Sequence, residues 1–413
     1  MNRPSVTAVM PCLNEEQTLA TCIQKAQQCF RDLGIDGEVV IADNGSTDRS
    51  IEIALQYGAR VVHQPIKGYG AALIKGIEEA QGDVIVMADA DDSYDWLAMG
   101  PFLARIREGY ELVMGNRFTG GIERGAMPAL HRYLGNPVLS TLARVVHRAP
   151  VGDFHCGMRA FTKAAFYRMQ LRTTGMEFAT EMVVNAARAG LRISEVPARL
   201  RPDGRNRPPH LRSFRDGWRH LRFILTYAPN YLYLAPGGFM MLVGLVLVAA
   251  LARGPVTIGG QYFGIHFIAL GCVLTLTGFN IVHLGVIAKV IAASQLALSD
   301  SRVSRWALHA FTLEGGLIAG LVMLLAGISI DASVLWRWLA NHRSTQDDTI
   351  HIAFAATLLI VLGINIVFSS FLLSMFAAHQ REHLTDESRD PQGARLVRET
   401  DSRPVLPPAV TRR

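Results

Sequence analysis

Short apolar, β-branched runs alternate with stretches of helical spacing through the first half of this chain. SVTAVM (Ser5 to Met10) reads as a strand that stops at Pro11, and helical periodicity follows from Glu15 to about Leu33. EVVIAD (Glu38 to Asp43) is a second strand. STDRSIEIALQYG reads as a helix with Ser46 as its N-cap and Gly58 at its end. ARVVHQ is a third strand, GAALIKGIEEAQG a helix, DVIVMAD a fourth strand, and ELVMGN a fifth after one more helix. Alternation of this kind predicts an α/β domain built on a parallel sheet with helices on both faces. In such sheets ligands bind beyond the carboxyl ends of the strands.

The pattern changes after about residue 220. The runs Phe223 to Ala252, Phe263 to Ala288, Gly315 to Ile330 and Ile352 to Phe376 contain no Asp, Glu, Lys or Arg. A bilayer core is crossed by about 20 apolar residues in helical conformation, so four transmembrane helices are expected. The third reaches back to Trp306 and tolerates Glu314. The opening residues, MNRPSVTAVMPCLNEE, lack a signal-peptide pattern. The first half is therefore expected to stay in the cytoplasm.

Composition and charge sharpen this division. Half of the 413 residues are hydrophobic and the formal net charge is +6. The stretch Arg199 to Arg222 holds eight arginines against two aspartates, so it matches the excess of the whole chain. Arginines beside a membrane span mark its cytoplasmic side and attract anionic lipid headgroups. Four spans then return the C-terminus to the cytoplasm. Arg302 and Arg305 between spans two and three agree; the mixed charges Asp331, Arg337, Arg343, Asp347 and Asp348 between spans three and four are less decisive.

Within Arg212 to Tyr227, helical spacing puts Phe214, Trp218, Leu221 and Leu225 on one stripe and Arg212, Arg215, Arg219 and Arg222 on another. That is a basic amphipathic helix suited to a membrane interface; a connector helix packed on the soluble domain is the alternative. The expected organisation is a soluble domain (1–210), the interface helix (211–228), a four-span membrane domain (229–378) and a charged, proline-containing tail (379–413) expected to be disordered. Five scattered cysteines without a CxxC pair suit a reducing compartment and argue against a disulfide framework or structural zinc.

The candidate chemistry falls at the strand ends. Pro11, Asn14 and Glu15 follow the first strand; Asp43, Asn44 and Asp48 follow the second; Asp89 and Asp91 follow the fourth; Asn116 and Arg117 follow the fifth. No G-x-G-x-x-G follows the first strand, and no GxxxxGK[ST] occurs. KGYG (Lys67 to Gly70) enters a helix and offers backbone amides to a phosphate or simply starts that helix. The run DADD, after a buried strand, suits Mg²⁺ or Mn²⁺, which take one or two protein carboxylates plus substrate phosphates. Asp89 and Asp91 share a side if strand geometry continues past the run; Asp92 then points elsewhere and reads as part of a solvated turn.

Five segments in this order, MPCLNEE, ADNGSTD, DADD, GNRF with DFHCGMRAF, and EVPARLRPDGR, resemble the inverting family 2 glycosyltransferases of the GT-A (Rossmann-like) fold. They are most similar to the polyprenyl-phosphate sugar transferase branch, which includes dolichyl-phosphate mannose synthase. The resemblance covers residues 5 to about 225. It implies a metal-dependent hexosyltransferase of the plasma (inner) membrane, with its catalytic domain in the cytoplasm. It implies a nucleotide-sugar site at Pro11, Leu13, Asn14, Glu15, Asp43, Asn44, Lys67, Gly68 and Ala90, and Mg²⁺ or Mn²⁺ on Asp89 and Asp91. Arg117 and Arg132 match acceptor-phosphate positions, and Arg199, Arg201 and Arg205 are further candidates for holding phosphates. Asp91, Asp92 and Arg117 are the candidate catalytic set. Glu181 matches an acidic position of the branch, where it orients arginines or is a plain helix-face carboxylate, and Asp153 and Arg159 either line the acceptor side or pair structurally. Leu13 stands where many members carry an aromatic residue, and Asn44 where a second Asp is common; UDP against GDP stays open. The Q-x-x-R-W signature of processive synthases is absent from the sequence.

The partners implied are a nucleotide-sugar donor, a polyprenyl phosphate acceptor and anionic membrane lipids, with no nucleic acid; a homo-oligomer is compatible. Two other readings stand beside this one. A neutral lipid hydroxyl, on diacylglycerol or a ceramide-like alcohol, would need a general base, for which Asp92 is the candidate. A lipid-carrier flippase or scaffold would leave the soluble domain merely regulatory.

Overall fold

The computed structural model describes residues 5–205, 213–296, 313–340 and 347–389. The chain forms two compact units that meet between Ala228 and Pro229. Arg212, the side chain of Phe214, residues 306–312 of the third apolar run, Arg302, Arg305, Arg343 and the tail beyond Arg389 lie outside the described residues.

The first unit is built on a seven-stranded sheet: β1 (Val6–Cys12), β2 (Gly37–Asp43), β3 (Arg60–His63), β4 (Val84–Met87), β5 (Leu112–Asn116), β6 (Arg159–Thr162) and β7 (Ile193–Pro197). The spatial order is β3-β2-β1-β4-β6-β5-β7. All neighbours pair in parallel except β6, which runs antiparallel to both β4 and β5. This GT-A-like architecture is mostly parallel; the antiparallel β6 sits in the DFHCGMRAF segment, where sequence spacing suggested no strand.

Side chains alternate across the sheet. Ala8, Met10, Val39 and Ile41 pack on one face with α1 (Leu19–Asp32), while Val9, Val40, Leu73 and Ile77 pack on the other with α3 (Tyr69–Glu79). Both faces are dry, which is why these strands read as continuous apolar runs. The helix α2 (Ser50–Gln56) begins later than expected. Ser46 does not cap it. The Ser46 hydroxyl instead accepts from the Asn14 amide at 3.0 Å, and Asp48 accepts from the Ser50 amide at 3.0 Å.

The remaining helices of this unit are α4 (Gly100–Arg107), the single turn α5 (Arg117–Gly120), α6 (Asn136–His147), α7 (Lys163–Met169), α8 (Phe178–Arg188) and α9 (Ser213–Thr226). Helix α9 packs on α6 and α8: His220 bonds Thr180 at 2.8 Å, the Ile224 carbonyl lies 3.3 Å from His147 Nε2, and Phe223 and Ile224 are buried. The face used is neither of the two stripes read from the sequence. Trp218 stays 62% exposed, and Leu221 and Leu225 are half-buried.

The second unit contains α10 (Ala235–Leu251), α11 (Ile265–Leu296), α12 (Leu313–Ala340) and α13 (Asp347–Arg389). Its four segments long and apolar enough to cross a membrane are Asn230–Leu251, Ile265–Lys289, Leu313–Ala340 and Thr349–Met375. A small hairpin, β8 (Val256–Ile258) with β9 (Gln261–Phe263), joins the first two helices through Gly259 and Gly260. Two expectations are corrected. Asp331 and Arg337 lie inside α12, and Asp347 and Asp348 begin α13, rather than lying in a loop. Residues 379–389, assigned by composition to a disordered tail, continue α13. They hold Gln, Arg, Glu and Leu, all good helix formers, and the first proline comes only at Pro391.

Candidate active site

A cavity of about 550 Å³ opens where the carboxyl ends of β1, β2 and β4 converge. Pro11, Leu13, Glu15, Asn44, Lys67, Gly68, Asp89, Ala90, Asp91 and Arg205 all line it, so most of the expected site residues are brought together.

Its floor is the carboxylate pair. Asp89 is wedged beneath Gly157, where a Cβ would stand 2.8 Å from Asp89 Oδ2 and 3.0 Å from Tyr94. Thus the glycine of the CGMR segment makes room for the first carboxylate of DADD. Burial, reinforced by the neighbouring Asp91 charge, pushes the Asp89 carboxyl up to about 6, although a hydrogen bond with Tyr69 and the nearby Arg205 and Arg117 charges pull the other way. Asp91 is buried, accepts from the Ser93 hydroxyl at 2.6 Å and contacts Arg205. Among the described residues no group of three acidic, His or Cys side chains is placed to hold a metal. The donor set still fits Mg²⁺ or Mn²⁺: two hard oxygen ligands, mutually repelling, with phosphate oxygens of a ligand to complete the shell.

The wall on the β2 side is organised by Asn44. Its side-chain amide donates to the carbonyls of Gln64 and Ile66 at 2.9 and 2.7 Å, and its oxygen accepts from the Gly68 amide at 2.7 Å. Asn44 therefore shapes the loop before α3, and aspartate could not donate these bonds. Lys67 Nζ donates to the Asn44 carbonyl at 2.6 Å. Gly68, at φ 146°, backs onto the Thr174 carbonyl.

That contact belongs to a second wall the sequence did not reveal. The loop before α8 brings Gly175 and Met176 into the cavity. Glu181 holds it, accepting from the Arg172 amide at 3.1 Å, the Thr173 amide at 2.9 Å and the Thr173 hydroxyl at 2.6 Å. Glu181 orients this loop rather than arginines.

Several expected residues lie elsewhere. Asp43 is buried beneath its own turn, accepting from the Gly45 and Ser46 amides and facing His63. Against the effect of burial, these bonds hold its carboxyl below the ordinary range. Asn14, at φ 60°, bonds Thr47 and faces a neighbouring cavity with Glu16 and Asp48. Asp92 does not line the site; it pairs with Lys25 at 2.6 Å. The general base required for a neutral acceptor is thus committed to an ion pair.

The arginines are redistributed too. Arg117 is buried and grips Asp153 with two bonds of 2.7 and 2.8 Å, while its own backbone amide donates to the same carboxylate. Arg159 is fully buried and donates to the carbonyls of Phe154, Cys156 and Ala179. Both knit the β5–β6 region together and neither lines the cavity. Arg132 lies 5.5 Å over the Tyr133 ring, outside the cavity. Arg199 pairs with Glu123 at 2.9 Å, and Arg201 with Asp95 at 3.1 Å. Only Arg205 of that group enters the site, 3.0 Å from Glu15 and in contact with Asp91. Two arginines assigned from sequence to the membrane stripe, Arg215 and Arg219, line the cavity instead.

A mostly parallel α/β unit with paired carboxylates and cationic side chains at its strand ends, followed by four membrane-length helices, defines a membrane-attached transferase of the GT-A class. Residues 7–169 match the model of glycosyl transferase family 2, and residues 286–377 match the family 2 glycosyltransferase C-terminal transmembrane region. Low-salt glycan biosynthesis hexosyltransferase Agl6 of Haloferax volcanii is 40% identical over 374 residues, covering 90% of this chain and 88% of that protein. The dolichyl-phosphate hexose transferase of the same organism is 35% identical over 195 residues, covering 46% of this chain and 81% of that protein. Glucosyl-3-phosphoglycerate synthase from Mycobacterium tuberculosis, solved with phosphoglyceric acid, aligns with TM-score 0.43 and 23% identity over 55% of this chain and 80% of that chain. The chain belongs to glycosyltransferase family 2.

Proposed function

We propose that this glycosyltransferase moves a hexose from a nucleoside-diphosphate sugar to a polyprenyl phosphate, with inversion, at the cytoplasmic face of the plasma membrane. The observation that carries this reading is the shared cavity: Asp89 and Asp91 on the floor, Lys67, Arg205, Arg215 and Arg219 around it. Carboxylates facing cations suit a ligand whose phosphates bridge them.

In the proposed reaction an acceptor phosphate oxygen attacks the anomeric carbon, the bond from that carbon to the diphosphate oxygen breaks, and the nucleoside diphosphate leaves. A Mg²⁺ or Mn²⁺ ion on Asp89 and Asp91 would supply Lewis acidity to the diphosphate. A phosphomonoester is already ionised near neutral pH, so no strong general base is needed. The Lys25 ion pair of Asp92 favours this over a lipid hydroxyl.

The membrane placement has its own support. Tyr133, Leu134, Val138 and Val145, in and just before α6, are 73, 57, 53 and 56% exposed, and Trp218 on the adjoining α9 is 62% exposed. Arg144 and Arg222 on these helices are exposed as well. Apolar side chains among arginines suit the interface of an anionic bilayer.

The test is to incubate membranes containing the protein with radiolabelled UDP-glucose, GDP-mannose or UDP-N-acetylglucosamine in turn. One donor should label an acid-labile lipid. Label confined to an acid-stable glycolipid would favour a hydroxyl acceptor and overturn the reading.

A further inference from the structure

Of the arginines that motif matching puts forward for the acceptor phosphate, four are taken or displaced. Arg117 grips Asp153, Arg199 and Arg201 pair with Glu123 and Asp95, and Arg132 lies outside the cavity. Arg205 is held between Glu15 and Asp91. An anionic acceptor nevertheless has to come close to a floor that already carries two carboxylates.

The structure assigns this task to Arg215 and Arg219, which we infer to be the binding residues for the acceptor's phosphomonoester. The inference rests on the reading above and names the groups that would hold its lipid substrate. The two arginines are one helical turn apart and both line the cavity. Arg215 is exposed and, among the described residues, has no carboxylate partner. Their helix is fixed from behind by the His220–Thr180 bond and by buried Phe223 and Ile224. Two guanidinium forks on a fixed backbone suit a dianionic phosphate.

Connectivity argues for the acceptor rather than the donor. Helix α9 ends at Thr226, and only Tyr227, Ala228 and Pro229 separate it from the apolar segment that starts at Asn230. The phosphate of a membrane lipid sits at headgroup level, and α9 is the cavity element tied most closely in sequence to a membrane-length segment. A water-soluble donor carries no such constraint.

The experiment uses the full-length protein in neutral detergent at fixed micelle concentration, with farnesyl phosphate as acceptor and whichever donor the wild type uses. Arg215→Gln and Arg219→Gln should each raise the KM for farnesyl phosphate about tenfold, as expected for loss of a charged hydrogen bond, and the double variant more. Donor Kd and acceptor-free donor hydrolysis should stay at wild-type values, a split that a folding defect would not produce. Calorimetric binding of farnesyl phosphate should weaken in parallel. A matching loss of donor affinity would place the pair on the donor diphosphate and overturn the inference. So would unchanged KM and binding, or an effect seen only in vesicles of anionic lipid. A wild type that binds farnesyl phosphate through these arginines without glycosylating it would overturn the proposed reaction and leave this assignment standing; one that neither binds nor glycosylates it overturns both.

Discussion

Asp89 and Gly157 fit against each other with no room for a methyl group: a Cβ on Gly157 would stand 2.8 Å from the Asp89 carboxylate and 3.0 Å from the Tyr94 ring. Gly157→Ala therefore has to move the carboxylate or a buried tyrosine. Overpacking of this kind costs about 1–3 kcal/mol. The expected result is a lowered melting temperature and weaker Mn²⁺ binding, read by calorimetry and by electron paramagnetic resonance of Mn²⁺. Wild-type Mn²⁺ affinity in the variant would show that Asp89 is not held where the metal needs it.

Asp91→Asn keeps the side-chain volume and removes a charged ligand, so transfer activity should be abolished while folding and membrane insertion persist. Protons should compete with the metal as well. With the Asp89 carboxyl at about 6, Mn²⁺ affinity should hold above that pH and fall by about tenfold per pH unit below it, since the ligand must be deprotonated. Activity that survives EDTA, or Mn²⁺ affinity that is flat from pH 7 to pH 5, would remove the metal from this site.

Arg117→Ala is expected to act on stability before it acts on substrate. The variant leaves Asp153 charged, fully buried and without its main partner, a loss of roughly 3–5 kcal/mol. Urea unfolding should show this, and acceptor KM in the surviving folded protein should change less than it does in Arg215→Gln. A stable Arg117→Ala protein with a selective acceptor defect would return Arg117 to the phosphate.

Acid should loosen α9. Burial, with the Arg188 charge second, lowers His147 from its ordinary 6.5 to about 4, and its ring faces the Ile224 carbonyl of that helix. The fold prefers the neutral ring. Its contribution is therefore complete above about pH 6.5 and is lost as pH falls towards 4, on the order of 2–3 kcal/mol. The half-buried His155, also lowered mainly by desolvation of its ring, acts in the same direction. The thermal midpoint of the catalytic unit should drop across that window, and His147→Gln should flatten part of the drop. An identical pH profile for the variant would rule His147 out as a contributor.

Local pattern carried the parts of this protein that depend on local chemistry. Alternation of burial along β1, with Ala8 and Met10 on one face and Val9 on the other, is written into residue order because strand side chains alternate. Apolar runs long enough for a bilayer are likewise a property of composition. The strand-end positions of Asp89, Asp91, Asn44 and Glu15 followed from those elements. What tertiary structure alone decided was the use of each charge. Asp92 meets Lys25 across 67 positions, Arg117 meets Asp153 across 36, and Arg205 meets Asp91 across 114. The direction of β6 also depended on its neighbours, since a four-residue run carries no signal of which way it pairs. Helix α9 shows the division within one element: periodicity found its arginine stripe, but docking on α6 and α8 through His220, Phe223 and Ile224 turned Arg215 and Arg219 into the cavity. A helical stripe defines which side chains share a face; only packing defines what that face meets.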